Sequence, residues 1–435
     1  MKKAMYPVSN IFALSFLMFI FQGCQDRIYQ TYEVDNPVYL SWEDLRSSVV
    51  DTLPEEISQP GKIYIIGNWL LVNEFNKGIH VINDADPAHP EIISFINIPG
   101  NVDMAVKDNI LYADSYVDLV ALDISDMENV KEVARFEDVF NYSLPPYESN
   151  SRIGAVDQTR GVVVDWVAEK VTEEVKQNEY YYPVRYWEYN KRFAEDGLIA
   201  YATNSVSTGP GSTGTGTGGS MARFIIYKDI LYTIDQYNLY LFNVSDPVSP
   251  VAAGTCPVSW NIETVFIARD HLFIGSTTGM NIYSLADPYE PEWKSTYWHV
   301  TSCDPVVVEG DYAYVTLRTG NTCQTDVNQL DIVNVEDLAY PYHAKSYPMT
   351  NPHGLGIDNS TLFICDGNAG LKVYDASNPY ELNAHMLAHF PEISTFDVIP
   401  YNHVLIMIGE DGLYQYDYTN VTNITLLSSI PIYGE

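Results

Sequence analysis

Apolar and polar residues alternate in short runs from about residue 61 to the C-terminus, and the alternation recurs as one six-residue phrase. The copies are GIHVIN at 78, DLVALD at 118, NLYLFN at 238, GMNIYS at 279, QLDIVN at 329, GLKVYD at 370 and GLYQYD at 412. Period-two alternation predicts strands, and turns such as DADPAHP, VSDPVSP and LADPYEP follow most copies. Ahead of each copy stands a second apolar run: WLLVNEF, ILYADSY, ILYTIDQ, HLFIGST, YAYVTLR, TLFICDG and VLIMIGE. The copies start 40, 120, 41, 50, 41 and 42 residues apart. A unit of about 41 residues with four short strands cannot bury both faces alone and must stack on its neighbours in a ring. The sequence therefore predicts an all-β chain folded as a seven-bladed β-propeller, with blades near 61–100, 101–139, 220–258, 259–300, 301–350, 351–392 and 393–435. Residues 140–219 become an insertion between blades 2 and 3. The 120-residue interval is also three periods long and has room for two degenerate blades, but no copy of the phrase occurs in it.

Antiparallel topology sorts the loops. The connection from second to third strand and the crossover to the next blade lie on one face, and the remaining loops on the other. The insertion is a crossover, and the extra residues 318–328 of blade 5 are a second-to-third-strand loop, so both irregular features fall on the crossover face. The short Asp-Pro turns fall opposite. Eight tyrosines, Trp166, Trp187 and seven of the chain's 23 basic residues lie in the insertion. Trp166, Tyr181, Tyr182, Arg185, Tyr186 and Trp187 suit a surface for glycans or a protein partner, and equally suit packing of the insertion onto the body. RGVVVDWVAEKVTEEV reads as one arm of a long hairpin. GPGSTGTGTGGS carries a GxGxxG match from Gly209 to Gly214, but it neither follows a strand nor opens a helix and reads as a flexible linker. VYLSWEDLRSSV reads either as a capping strand from Val38 or as a short helix N-capped by Ser41 with Asp44 three residues on. No strand is exchanged between the termini, so the pattern leaves ring closure unexplained.

An ionisable residue stands near the start of each inner strand: Lys62, Asp103, Arg223, Glu263, Asp304, His353 and Asp397. At a channel mouth these could hold calcium or another divalent cation, hold a polar ligand, or simply pair with one another. His385 and His389 are four apart but do not lie on a predicted helix, and no GxSxG or P-loop lysine motif occurs. No catalytic residue stands out. The expected function is a non-enzymatic binding or interaction scaffold, with a metal-dependent hydrolase or lactonase, its cation in the channel, as the alternative.

Charge and the N-terminus narrow the setting. The 435 residues carry 57 acidic against 23 basic side chains, a net charge of -34, which repels nucleic acid. With 46% hydrophobic and 18% charged residues the chain has material for a packed core. Lys2, Lys3 and the apolar run Ile11 to Phe21 form a signal peptide over residues 1–23, too short to span a bilayer. Gly23-Cys24 resembles a bacterial lipobox, although Phe21 and Gln22 depart from its usual residues. Lipid on Cys24 would tether residues 24–60 to a membrane, and Gln25 favours the outer membrane or cell surface. The expected partners are that membrane and an envelope protein or a polysaccharide.

The strands LVALDISD and QLDIVNVED resemble the LVIVD-repeat family of bacterial surface propellers over nearly everything from Gly61 onward. The resemblance implies the fold and no settled activity. It also suggests a Cys303–Cys323 disulfide, and the strand assignment agrees by setting both cysteines at one end of blade 5. Such a loop would add roughly 3 kcal/mol. Cys365, inside TLFICDG, is expected as a buried free thiol; Cys256 is left undecided. No CxxC pair or zinc-type spacing to histidine occurs, which argues against a structural metal.

Overall fold

The computed structural model describes residues 29–145, 152–174, 217–218, 220, 222–299, 305–318 and 327–433. Four-stranded antiparallel meanders repeat along the chain, each running from first to fourth strand in sequence order. Sheet 1 is Pro60–Ile66, Trp69–Glu74, Gly78–Asn83 and Glu91–Asn97; sheet 2 is Met104–Lys107, Ile110–Ser115, Asp118–Asp123 and Lys131–Phe136. Sheet 3 is Phe224–Tyr227, Ile230–Ile234, Asn238–Asn243 and Val251–Pro257; sheet 4 is Ile262–Ala268, His271–Ser276, Gly279–Ser284 and Glu292–Trp298. Sheet 5 is Val306–Glu309, Tyr312–Leu317, Gln329–Asn334 and Tyr342–Pro348; sheet 6 is Leu355–Asp358, Thr361–Cys365, Leu371–Asp375 and Met386–Phe390. Sheet 7 is Thr395–Tyr401, Val404–Gly409, Gly412–Asp417 and Thr425–Pro431. The recurring phrase forms the third strand of every sheet, and the apolar run ahead of it forms the second.

Burial explains the two kinds of strand. Second strands such as Leu70, Leu71 and Val72 or Leu405, Ile406 and Met407 are fully buried, because a neighbouring sheet covers each face. Fourth strands such as Val251–Pro257 face solvent, so they carry no continuous apolar run. The turns after the third strands form because Asp86, Asp126, Asp287 and Asp337 each accept the backbone N–H two residues on, an Asx turn, with proline following the acid at Asp86 and Asp287.

Side-chain hydroxyls fasten one sheet to the turn of the next. Ser94 donates to Met127 O at 3.1 Å, Tyr112 to Pro247 O at 2.8 Å, Tyr232 to Pro288 O at 2.6 Å, Ser295 to Leu338 O at 2.6 Å and Tyr347 to Pro379 O at 2.7 Å. Ser428 of sheet 7 repeats the contact onto Pro87 O of sheet 1, at 2.6 Å. There Ile63, Ile65, Leu70 and Val72 pack against Ile399, Ile406, Ile408 and Leu413. Tyr433 N donates to Ile57 O at 3.0 Å, and Gln415 donates to Asp84 at 2.5 Å. The circle of sheets thus closes by side-chain packing and turn contacts, with no strand exchanged among the described residues.

The N-terminal segment realises parts of both readings. A strand, Tyr29–Leu40, runs into a short helix, Trp42–Ser47, whose N-cap Ser41 accepts Asp44 N at 3.0 Å. The strand pairs antiparallel with Val162–Glu174 along its whole length. The described partner of this strand is the N-terminal strand, more than a hundred residues upstream; the second arm of the expected hairpin falls outside the described residues. Leu45, Val117 and Val162 form a small core beneath the helix. Val50–Thr52 then caps the outer edge of sheet 1 by pairing with Glu91–Asn97.

Candidate binding face and channel

The first strands of consecutive sheets stand side by side around the centre, and the end of the insertion is laid across them. Thr217 and Gly218 pair antiparallel with Ile65 and Tyr64 of sheet 1. Ser220 Oγ accepts Leu355 N of sheet 6 at 3.2 Å, and Ala222 O accepts Val265 N of sheet 4 at 2.8 Å. Small residues suit so narrow a place: a Cβ on Gly218 would lie 3.2 Å from the Tyr64 ring. The flexible-linker reading is corrected for the last residues of this segment: Thr217 and Gly218 are held by main-chain pairing to sheet 1, and Ser220 by its hydroxyl's bond to sheet 6. The GxGxxG match itself lies outside the described residues.

The ionisable positions sit near the starts of the first strands, but most are enclosed. Lys62, Asp103, His353 and Asp397 are buried, and Arg223 and Glu263 are half-buried. Asp304 lies outside the described residues. Three of these groups meet: Asp103 Oδ2 is 3.4 Å from Lys62 Nζ and accepts Arg223 N at 2.5 Å and Phe224 N at 3.3 Å. Burial pulls the Lys62 ammonium below the ordinary lysine range, with Asp103 opposing that shift. His353 meets Phe396 at a tilt with ring centroids 5.5 Å apart, and burial, reinforced by Arg318, holds its imidazole well below the usual range. Among the described residues its Nε2 has no hydrogen-bond partner. Among the described residues no group of three His, Cys, Asp or Glu side chains is placed to hold a metal ion.

A recurring acid that the sequence reading passed over shapes the crossover face. Each lies at or just beyond the end of a second strand and accepts loop N–H groups. Glu74 takes Ser58 N at 3.1 Å and Gln59 N at 2.7 Å; Asp114 takes Val102 N at 2.8 Å and Asp103 N at 2.9 Å. Asp235 takes Tyr237 N and Asn238 N, both at 2.7 Å; Asp366 takes Thr350 N at 2.9 Å and Asn351 N at 2.8 Å. Burial drives Asp114 up to about 6 against those bonds. Glu74 resists the same burial through His80 and the Ser58 and Gln59 donors, which hold it down to about 2. The signal was present as an acid near the end of five of the seven apolar runs, Glu410 of VLIMIGE being the fifth.

Exposed rings mark the same face. Tyr237, Trp260 and Trp298 are 40%, 77% and 70% exposed, although each belongs to or adjoins an ordered strand. Of the insertion aromatics, Trp166 is half-buried and donates to Pro145 O at 2.9 Å, so it packs the insertion's base. Tyr181, Tyr182, Arg185, Tyr186 and Trp187 lie outside the described residues, as do Cys24, Cys303 and Cys323. Cys365 is a buried free thiol, pushed well up by burial, and Cys256 is free and half-buried.

No protein-family model matches the chain. No curated protein matches it either. The periplasmic gluconolactonase PpgL of Pseudomonas aeruginosa superposes with a TM-score of 0.51 at 9% identity, over 85% of this chain and 96% of that one. A protein from Lactobacillus plantarum gives 0.49 at 10% identity, over 86% and 97%. At such identity the likeness to PpgL bears on fold alone, and the chain is an all-β protein of propeller-like architecture.

Proposed function

We propose that the chain is a seven-bladed propeller of the LVIVD-repeat type, carried on the cell envelope by lipid on Cys24, and that it binds a partner through its crossover face without performing chemistry. The repeat supports the first part: one phrase recurs as the third strand of every four-stranded sheet. The observation that carries the second is the insertion's end, bonded across the first strands of sheets 1, 4 and 6. A hydrolase of this architecture needs inner-strand carboxylates open to a cation and substrate. Here Asp103 is instead occupied by Lys62 and by the main chain of Arg223 and Phe224. Binding is left to the crossover face, where the insertion and the exposed rings stand.

Metal analysis of the purified mature chain, with a thermal melt in the presence and absence of chelator, tests this reading. The scaffold is expected metal-free with an unmoved melt. Stoichiometric calcium lost to chelator, together with lactone hydrolysis that falls in Asp397→Asn, would replace it with the lactonase alternative. Labelling with radioactive palmitate, abolished in Cys24→Ser, checks the anchor.

A further inference from the structure

Three exposed rings on the crossover face are mounted on one continuous main-chain framework. Val258 N donates to Tyr237 O at 3.0 Å and Ile262 N to Gln236 O at 3.1 Å, fixing the crossover that carries Trp260 to the loop that carries Tyr237. Thr277 N donates to Asn261 O at 3.1 Å, and His299 N to Thr278 O at 3.3 Å, extending the same row to Trp298. Tyr237 and Trp260 meet edge to face with centroids 5.6 Å apart, so each limits the other's rotation. Yet Trp260 leaves 77% and Trp298 70% of its surface to solvent. Rings mounted on main-chain-bonded loops and left open to solvent on one face are available to a ligand.

The chemistry between the rings is distinctive in a chain of net charge -34. Residues 257–262, 275–279 and 236–238 contain no charged side chain; they offer amides and hydroxyls such as Gln236, Ser259 and Thr278. A polyanion would be repelled by the whole protein, and residues 257–262, 275–279 and 236–238 offer no arginine to a protein partner. Aromatic faces flanked by uncharged donors and acceptors match the alternating C–H faces and hydroxyl rims of pyranose rings.

We infer that Tyr237, Trp260 and Trp298 form a platform for a neutral polysaccharide. This rests on the scaffold reading and names the ligand class of its binding face. The test is affinity electrophoresis of the mature chain in gels containing soluble neutral β-glucan, α-glucan, mannan or xylan, with polygalacturonate as the acidic comparison. At least one neutral polymer is expected to retard the chain and polygalacturonate is not. Trp260→Ala and Trp298→Ala should each weaken retardation about tenfold, Trp260→Tyr should keep most of it, and thermal melts should be unchanged because both rings are exposed. Retardation that survives both alanine variants would place glycan binding elsewhere and overturn the platform while leaving the scaffold intact. No retardation by any neutral polymer would overturn the platform as well, and the metal and chelator experiment judges the scaffold separately.

Discussion

Ser428 Oγ lies 2.6 Å from Pro87 O, and through this pair the last sheet grips the first in the way that Ser94 grips Met127 and Ser295 grips Leu338. The contact is one repeat of a shared device, but the closure around it rests mainly on apolar burial. Ser428→Ala should therefore cost only about 1 kcal/mol in urea unfolding. Ile406→Ala, at a fully buried position in the same seam, should cost about 2–5 kcal/mol. A larger loss from Ser428→Ala than from Ile406→Ala would contradict closure by packing.

The N-terminal helix is held by charge as well as by Leu45. Asp118, fully buried, accepts Arg46 Nε at 3.1 Å and Arg135 Nη1 at 3.0 Å. Asp118→Ala removes the buried carboxylate that both guanidinium groups share, leaving Arg135 to Glu132 and Arg46 to Glu137, and should destabilise by about 2 kcal/mol. Hydrogen exchange should rise first along Tyr29–Leu40 and its partner Val162–Glu174, with sheets 4 to 7 unaffected. Uniform acceleration across all sheets would show that Asp118 supports the whole ring instead.

Two acids with similar donors should respond oppositely to pH. The folded value of Asp114 is about 6, above its ordinary 3.8, so the folded state holds its proton longer and this group's contribution worsens as pH rises from about 4 to 6. The stability of Asp114→Asn relative to the wild type should accordingly improve over that window and level off above it. Glu74 sits at about 2, below its ordinary 4.5, so its contribution is full above 4.5 and is lost as pH falls toward 2. Glu74→Gln should thus lose its disadvantage in acid. Parallel pH profiles for the two variants in chemical unfolding would refute the assignment.

The strands were legible because burial on both faces leaves a strong local trace: VLIMIG and WLLV cannot be solvent-facing segments, and the phrase after each repeats its register. Pairings across long separations left no such trace. Val162–Glu174 alternates, but nothing in its own residues names Tyr29–Leu40 as partner. Thr217 and Gly218 carry too little apolar surface to announce a strand; their order comes from Tyr64 and Ile65. At the candidate site, charge at the first-strand starts was readable, whereas its burial was not. Asp103 is enclosed because residues 223 and 224, at the far end of the insertion, turn their N–H groups onto it. Trp260 and Trp298 were overlooked since single exposed rings resemble core residues in a sequence.

The end of the insertion also holds sheet 6. Ser220 is almost wholly buried, and its hydroxyl oxygen takes the Leu355 N–H at 3.2 Å. Ser220→Ala removes the acceptor without adding bulk, so the Leu355 amide is left either unpaired or dependent on an entering water. A buried donor without a partner costs about 1–3 kcal/mol, and the loss should appear in thermal or urea unfolding. Its local sign is sharper than its size: exchange of the Leu355 amide should accelerate in the variant, while amides of the second strand Thr361–Cys365 keep their protection. Unchanged exchange at Leu355 would mean that the insertion's end does not hold the first strand of sheet 6.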